Sequence, residues 1–329
     1  MALQASVSVP LSGITALLGP SGSGKTSLVR AITGLPSLLS GSVSLDGFAL
    51  HKNTEKRPIS LMFQDARLLP HKTLEQQLAF AEKLGGDQPK GAVEALGLTA
   101  CLAKKPNQLS GGERKRAALL MAMTARHSML LLDEPFDGLD VARRTAMMTL
   151  IQTHAAHKPV ILVSHDYDAV AQLADRAIII LDQQAQGPFD TATAFLKMEA
   201  GVESDRSSLL HGTVTSAGLL NDITVDGQSL SLPGTMASGP VTLRLLARDI
   251  ALATSRPEGT SIQNILKASI IEISPIHGSP FVDVTTRLLN SDQQLVSRIT
   301  AKSAEALALA PNQSIYLLVK SASFERSAD

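Results

Sequence analysis

The chain has no tryptophan and a single cysteine among its 329 residues, and only 3% of it is aromatic. Cys101 therefore has no partner for an internal disulfide and no companions for a multi-cysteine metal site, which fits a reducing compartment and a buried, inert thiol. Charge of one sign is missing as well: thirty Lys plus Arg balance thirty Asp plus Glu. That balance argues against a polybasic membrane anchor and a nucleic-acid partner, so any polyanion must be bound locally. Long apolar runs are also absent. Ala117 to Met123 and Ala177 to Leu181 fall well short of the roughly 18–20 residues that span a bilayer. The first residues, Met-Ala-Leu-Gln-Ala-Ser, have neither a basic start nor an apolar secretion segment, so the expected location is cytoplasmic. What the chain does have is 44% apolar and 18% charged residues, enough for sizeable cores, and a length that predicts about two domains.

Alternating β and α signals mark the first part of the chain. Ile14 to Leu18 reads as a short buried strand, followed by a Gly/Ser-rich turn and a helix from about Lys25 to Ile32. Further strands are expected near Ser42 to Leu45, before the Asp46-Gly47 turn, and near Ile59 to Phe63. From Thr73 to about Leu102 the texture is helical, broken by Gly85-Gly86 and Pro89, and another helix is expected from about Gly112 to Ala125. Met129 to Leu132, Val160 to Val163 and Ile178 to Leu181 have the continuous apolarity of central parallel strands. The whole predicts a doubly wound α/β domain. Beyond about Gly201, short Val/Thr/Ser/Leu strands with Gly/Asn/Asp turns predict an all-β domain. Val241 to Ile250 can be laid on Ser314 to Ser323, as expected of an internal duplication.

Gly19-Pro20-Ser21-Gly22-Ser23-Gly24-Lys25-Thr26 fits the phosphate-loop pattern and lies between a buried strand and a helix, where the chemistry needs it. Its glycines let backbone N–H groups wrap a phosphate, Lys25 adds a positive charge, and Thr26 offers a hydroxyl to Mg²⁺. The expected ligand is a nucleoside triphosphate. Asp133-Glu134 closes an apolar strand at the end where open α/β sheets bind ligands. Asp133 is expected to hold Mg²⁺ and Glu134 to orient or deprotonate an attacking water. Leu109-Ser110-Gly111-Gly112-Glu113 precedes a helix and forms a second anion site, which one chain cannot easily use together with the first. His154 and His157 lie three apart on an expected helix and are expected to face solvent; no zinc site is expected among the histidines.

In this segment the chain resembles the ATP-binding cassette family, whose signature is Leu-Ser-Gly-Gly-Glu between phosphate loop and acidic strand. Gln64 in Met62-Phe63-Gln64-Asp65, Asp140 in Phe136-Asp137-Gly138-Leu139-Asp140 and His165 in Val163-Ser164-His165-Asp166 complete the family's landmarks in order. The resemblance implies a P-loop NTPase cassette over 1–203 with a helical subdomain at about 73–125, followed by an OB-like double barrel over 204–329. It implies head-to-tail homodimers in which each ATP lies between one phosphate loop and the other chain's Ser110, Gly111 and Gly112. It further implies that Gln64 senses Mg²⁺, that Asp140 contacts the other subunit, and that His165 bonds the γ-phosphate. Residues 1–18 lack Phe, Tyr, Trp and His, so where family members stack an upstream aromatic on adenine, this chain is expected to use aliphatic contact or a partner residue.

One cassette without a membrane span implies a separate permease in two copies, served by a periplasmic binding protein, with the ATPase on the cytoplasmic face of the bacterial inner membrane. Phe63-Gln64-Asp65-Ala66-Arg67-Leu68-Leu69-Pro70-His71 resembles the segment in molybdate importer ATPases. Thr260-Ser261-Ile262-Gln263-Asn264-Ile265-Leu266 and Ile299-Thr300-Ala301-Lys302-Ser303-Ala304-Glu305-Ala306-Leu307 are similar to parts of a molybdate-binding-protein-like (TOBE/mop) barrel. Molybdate or tungstate on Ser261, Lys302 and Ser303 is the implied ligand there, although relatives commonly carry Arg where Gln263 stands. A sulfate or other oxyanion importer, or a non-transport regulatory protein that senses oxyanion, remains the alternative.

Overall fold

A computed structural model describes residues 4–35, 42–51, 53–198, 206–234 and 236–320. The chain divides into two compact units between Thr191 and Ala192. The boundary expected at 203/204, and the end of the proposed duplication at Ser321 to Ser323, lie outside the described residues.

The first unit opens with β1 (Ile14–Leu18), α1 (Lys25–Thr33), the hairpin β2 (Ser44–Leu45) and β3 (Phe48–Ala49), and β4 (Ile59–Met62). Three helices follow, α2 (Leu74–Lys83), α3 (Ala92–Ala95) and α4 (Gly111–Thr124). The unit is completed by β5 (Met129–Asp133), α5 (Val141–Ala155), β6 (Val160–Val163), α6 (Tyr167–Leu173), β7 (Arg176–Leu181) and β8 (Gln184–Asp190). The strands form one six-stranded sheet in the order β4-β5-β6-β1-β7-β8, in which only β8 runs antiparallel. β1 is buried along its whole length, which is why it reads as an unbroken apolar run. Leu17, Leu131, Ile161, Val163, Ile178 and Ile180 of the sheet share an apolar cluster with Leu28 and Val29 of α1.

Helix ends follow local sequence. Thr73 and Ser110 each cap a helix in a reciprocal box with a residue three further on, Gln76 and Glu113. Gly34 ends α1 in the left-handed conformation, and the Arg57 guanidinium donates to the carbonyls of Ala31 (2.7 Å) and Ile32 at that same end.

Beyond α7 (Thr191–Lys197), the second unit is antiparallel β: β9 (Ser207–Ser216), β10 (Leu220–Val225), β11 (Gln228–Pro233), β12 (Gly239–Leu246), β13 (Ile250–Ala253), β14 (Asn264–Pro275), β15 (Phe281–Leu288), β16 (Gln294–Thr300), a short α8 (Ala301–Ala306) and β17 (Ser314–Val319). Its sheets have the orders β11-β10-β9-β12 and β13-β17-β14-β15-β16. Setting β13 aside, β9 to β12 and β14 to β17 follow one path, so β12 and β17, the strands paired in the sequence alignment, occupy equivalent places. The halves are joined reciprocally. The Gln293 side chain accepts from the His211 N–H at 2.7 Å and donates to its carbonyl at 3.0 Å, while Gln228 does the same to Lys267 at 2.6 and 3.1 Å. Both halves contribute to one apolar core, including Leu210, Val214 and Ile223 from the first and Leu266, Ile270, Val284 and Ile315 from the second.

Buried in this unit, Asp283 accepts from Arg206 at 2.7 Å and from Arg298 at 2.8 and 3.0 Å. Burial pushes its carboxyl up, but the two guanidinium groups outweigh that and hold it below the usual range.

Candidate nucleotide site

The parallel strands β1, β4, β5 and β6 end in register at one edge of the sheet: Met62 lies beside Leu132, Asp133 beside Val163, and Leu17 beside Val163. The segment 19–26, Gln64, Asp133, Glu134 and His165 all lie at or just beyond that edge. Open α/β sheets bind ligands there because strand carboxyl ends and helix N-termini converge.

The loop after β1 is built for an anion. Gly19 has φ +146° and a Cβ there would come within 2.4 Å of the Ile180 carbonyl oxygen, so the tight exit from β1 requires glycine. Gly24, at φ 110°, begins α1 without a side-chain cap, which leaves the first N–H groups of that helix to a ligand. Lys25 is buried, and its Nζ donates to the carbonyls of Gly19 (2.6 Å) and Pro20 (2.9 Å). Burial lowers its pKa against the opposing pull of the Glu134 and Asp133 carboxylates. Ser23 Oγ is buried with no hydrogen-bond partner. Pro20, Ser21, Gly22 and Thr26 are solvent-exposed or nearly so. A buried hydroxyl without a partner and a lysine folded onto carbonyls are the features that a phosphate would satisfy.

Glu134 is buried, with φ +48°, a left-handed conformation that costs a non-glycine residue about 1 kcal/mol or more. Its backbone N–H donates to the Val163 carbonyl at 2.9 Å. Its Oε2 accepts from the His165 N–H at 3.0 Å and its Oε1 lies 3.5 Å from His165 Nε2. Burial raises the pKa of both Glu134 and Asp133, opposed by His165, a trend that favours a proton acceptor over a fully solvated anion. Gln64 is exposed two residues beyond β4, in a loop anchored by a residue the sequence did not single out. Gln77 of α2, 1% exposed, accepts from the Leu69 N–H at 2.9 Å and donates to the carbonyls of Leu69 and Lys72 at 3.2 and 3.1 Å.

The region spanning residues 3–137 matches the family model described as ABC transporter, and residues 260–324 match that of the TOBE domain. Relatives named Molybdenum import ATP-binding protein ModC match nearly end to end. That of Rhizobium etli is 34% identical over 95% of this chain and 93% of its own length, and that of Methylococcus capsulatus 32% identical over 97% and 94%. The chain belongs to the ABC transporter family. A solved ATP-binding subunit of an ABC transporter shares its fold, with a TM-score of 0.51 at 20% identity over 57% of this chain and 82% of that one.

The ABC transporter signature is presented by α4. Ser110 accepts from the Glu113 N–H at 3.2 Å, and the Glu113 carboxylate accepts from the Ser110 N–H at 2.7 Å. That N–H, then Cys101, brings the Glu113 pKa down to about 2. Gly111 and Gly112 form the first turn, and a Cβ on Gly111 would meet open space. Among the described residues no hydrogen bond or ion pair joins Ser110, Gly111 or Gly112 to the phosphate loop of the same chain. Asp140 caps α5, accepting from the Arg143 N–H at 2.9 Å, and is exposed. Cys101 is buried, as expected, with Sγ 3.2 Å from Glu113 Oε1.

One expectation is corrected. His154 does not simply face solvent: it is half-buried, stacked on His127 with ring centroids 5.0 Å apart and Nε2 atoms 3.0 Å apart. The turn between α4 and β5 brings His127 to the end of α5, a long-range meeting that helical spacing cannot reveal. In the second unit, Lys302 and Ser303 are exposed on the first turn of α8, where Ser303 and Thr300 share a 2.8 Å hydroxyl contact. Ser261 is exposed in the segment before β14, and among the described residues no hydrogen bond joins it to Lys302 or Ser303. No helix of the described residues is long and apolar enough to cross a membrane.

Proposed function

We propose that the chain hydrolyses ATP between two copies of itself and thereby drives molybdate import through a separate membrane permease at the cytoplasmic face of the inner membrane. The carrying observation is the convergence of the 19–26 loop, Glu134 and His165 on one sheet edge in a chain that matches molybdenum import ATP-binding proteins over nearly its full length. In this reading the phosphates of ATP draw Lys25 Nζ away from its own loop carbonyls and occupy the free Ser23 hydroxyl. Glu134 takes the proton of the attacking water, and His165, held beside that carboxylate, bonds the γ-phosphate. The donor set of Thr26 hydroxyl, Gln64 amide and Asp133 carboxylate consists of hard oxygens suited to Mg²⁺, which would supply charge neutralisation at the phosphates. Ser110, Gly111, Gly112 and Asp140 serve the nucleotide of the other copy.

The cargo rests on the relatives' names and the TOBE match. In the second unit, Lys302 and the hydroxyls of Ser261 and Ser303 are the proposed donors to molybdate or tungstate, by charge-assisted hydrogen bonds. The test is uptake of molybdate, tungstate and sulfate in a deletion strain complemented with this chain, alongside ATPase activity of the reconstituted complex. Uptake restored for sulfate alone, or no coupling to any permease, would overturn the assignment. Calorimetry of the full chain and its Lys302→Ala variant with molybdate tests the second unit; equal binding by both rules Lys302 out.

A further inference from the structure

Lys115, on the second turn of α4, is 15% exposed at its side chain and reaches out of the signature helix toward β5. Its Nζ donates to the Glu134 carbonyl at 3.3 Å and lies 3.6 Å from the Asp137 carboxylate. Of the hydrogen bonds that hold Glu134, those to Val163 and His165 come from the end of β6 and the loop after it; the bond from Lys115 reaches it from α4. It falls on the carbonyl of a residue whose φ is left-handed, the backbone that carries the carboxylate. The same helix is capped at its N-terminus by the Ser110–Glu113 box, so Ser110 and Lys115 belong to one continuous helical segment.

We infer that Lys115 is a positioning residue that sets Glu134 for hydrolysis and ties its setting to engagement of Ser110. The inference rests on the reading above, in which Ser110 serves the other copy's ATP while Glu134 acts on the chain's own. Under that arrangement α4 spans two different nucleotides, and the Lys115 contact is a mechanical link between them. An ammonium–carbonyl hydrogen bond is short-ranged, so a small shift of the helix weakens its hold on the Glu134 carbonyl.

The experiment uses the full-length chain assembled with its permease, comparing wild type with Lys115→Met, Lys115→Arg, Ser110→Ala and the Ser110→Ala/Lys115→Met double variant. Lys115→Met is expected to lower kcat about tenfold while the ATP concentration for half-maximal rate stays within about twofold, the split expected of lost transition-state positioning. Lys115→Arg, which keeps the donor and charge, is expected to recover most of the rate. The double variant is expected to be no slower than Ser110→Ala alone, because residues acting through one contact are non-additive. A kcat for Lys115→Met within twofold of wild type, or equal defects in Met and Arg, overturns the positioning role. A double variant whose losses multiply overturns the link to Ser110. Glu134→Gln separates the two levels: full hydrolysis by that variant sinks the role of Glu134 itself, whereas its loss together with an unaffected Lys115→Met sinks only this inference.

Discussion

Acid should weaken the first unit through His127 and His154. With Nε2 atoms 3.0 Å apart, one ring donates and the other accepts, an arrangement that requires at least one neutral imidazole. Burial lowers the His154 pKa from 6.5 to about 4, reinforced by the charges of His127, Lys158 and His157. Burial lowers that of His127 too, against the pull of the Ala125 carbonyl and with help from Lys158. Both groups bind protons less readily in the folded chain than in the unfolded one. The contribution of His154 is therefore whole above about pH 6.5 and is lost as the pH falls toward about 4, and that of His127 is lost in the same direction. For His154 the full fall from 6.5 to about 4 corresponds to at most ~3.4 kcal/mol at about 1.36 kcal/mol per pH unit. Because the ring keeps partial solvent contact, screening leaves about 1–2 kcal/mol. Glutamine at position 154 can still hydrogen-bond His127 but cannot titrate. Denaturant unfolding at about pH 7, 5.5 and 4.5 should show wild type losing ~1–2 kcal/mol more than His154→Gln over that span. Parallel losses in the two proteins would refute the argument, as would an NMR titration placing both imidazoles near the free value.

Three further outcomes are expected. Glu134→Gln keeps the volume and most contacts of the buried side chain but removes the proton acceptor, so steady-state hydrolysis should fall by about 10²-fold or more while an ATP-bound dimer accumulates in light scattering. Lys25→Ala removes the only buried cation of the phosphate loop and should abolish tight ATP binding by calorimetry; unchanged affinity would contradict the loop's assignment. Asp283→Asn leaves Arg206 and Arg298 facing an uncharged amide and should cost about 3 kcal/mol in denaturant unfolding of the full chain, while Arg298→Lys, which keeps one charge, should cost less.

Much of the candidate site was legible in the sequence because its residues fall in short local motifs. The phosphate loop is eight consecutive residues whose glycines and Lys-Thr pair answer to backbone geometry, and Asp133-Glu134 closes a strand whose unbroken apolarity marks it as central. The same holds for Ser110, whose capping partner Glu113 is three residues away. Legibility failed where partners meet across the fold. Lys115 and Glu134 are 19 residues apart, His127 and His154 27, and Arg206 and Asp283 77. Gln77, a polar residue in an amphipathic helix, reads as surface until the loop after Gln64 folds onto it.

Local sequence by itself determined the strand and helix series, the glycine-dependent exit from β1, the capped signature helix and the set of groups proposed to hold a triphosphate, since each depends on neighbours within a few residues. Tertiary structure decided the order β4-β5-β6-β1-β7-β8, which brings loops from four separate strands to one edge. It also decided the reciprocal joining of the two β repeats and the contact of Lys115 with Glu134. Those depend on which surfaces pack and in what register, a long-range choice made by burial of apolar area that periodicity along the chain does not encode.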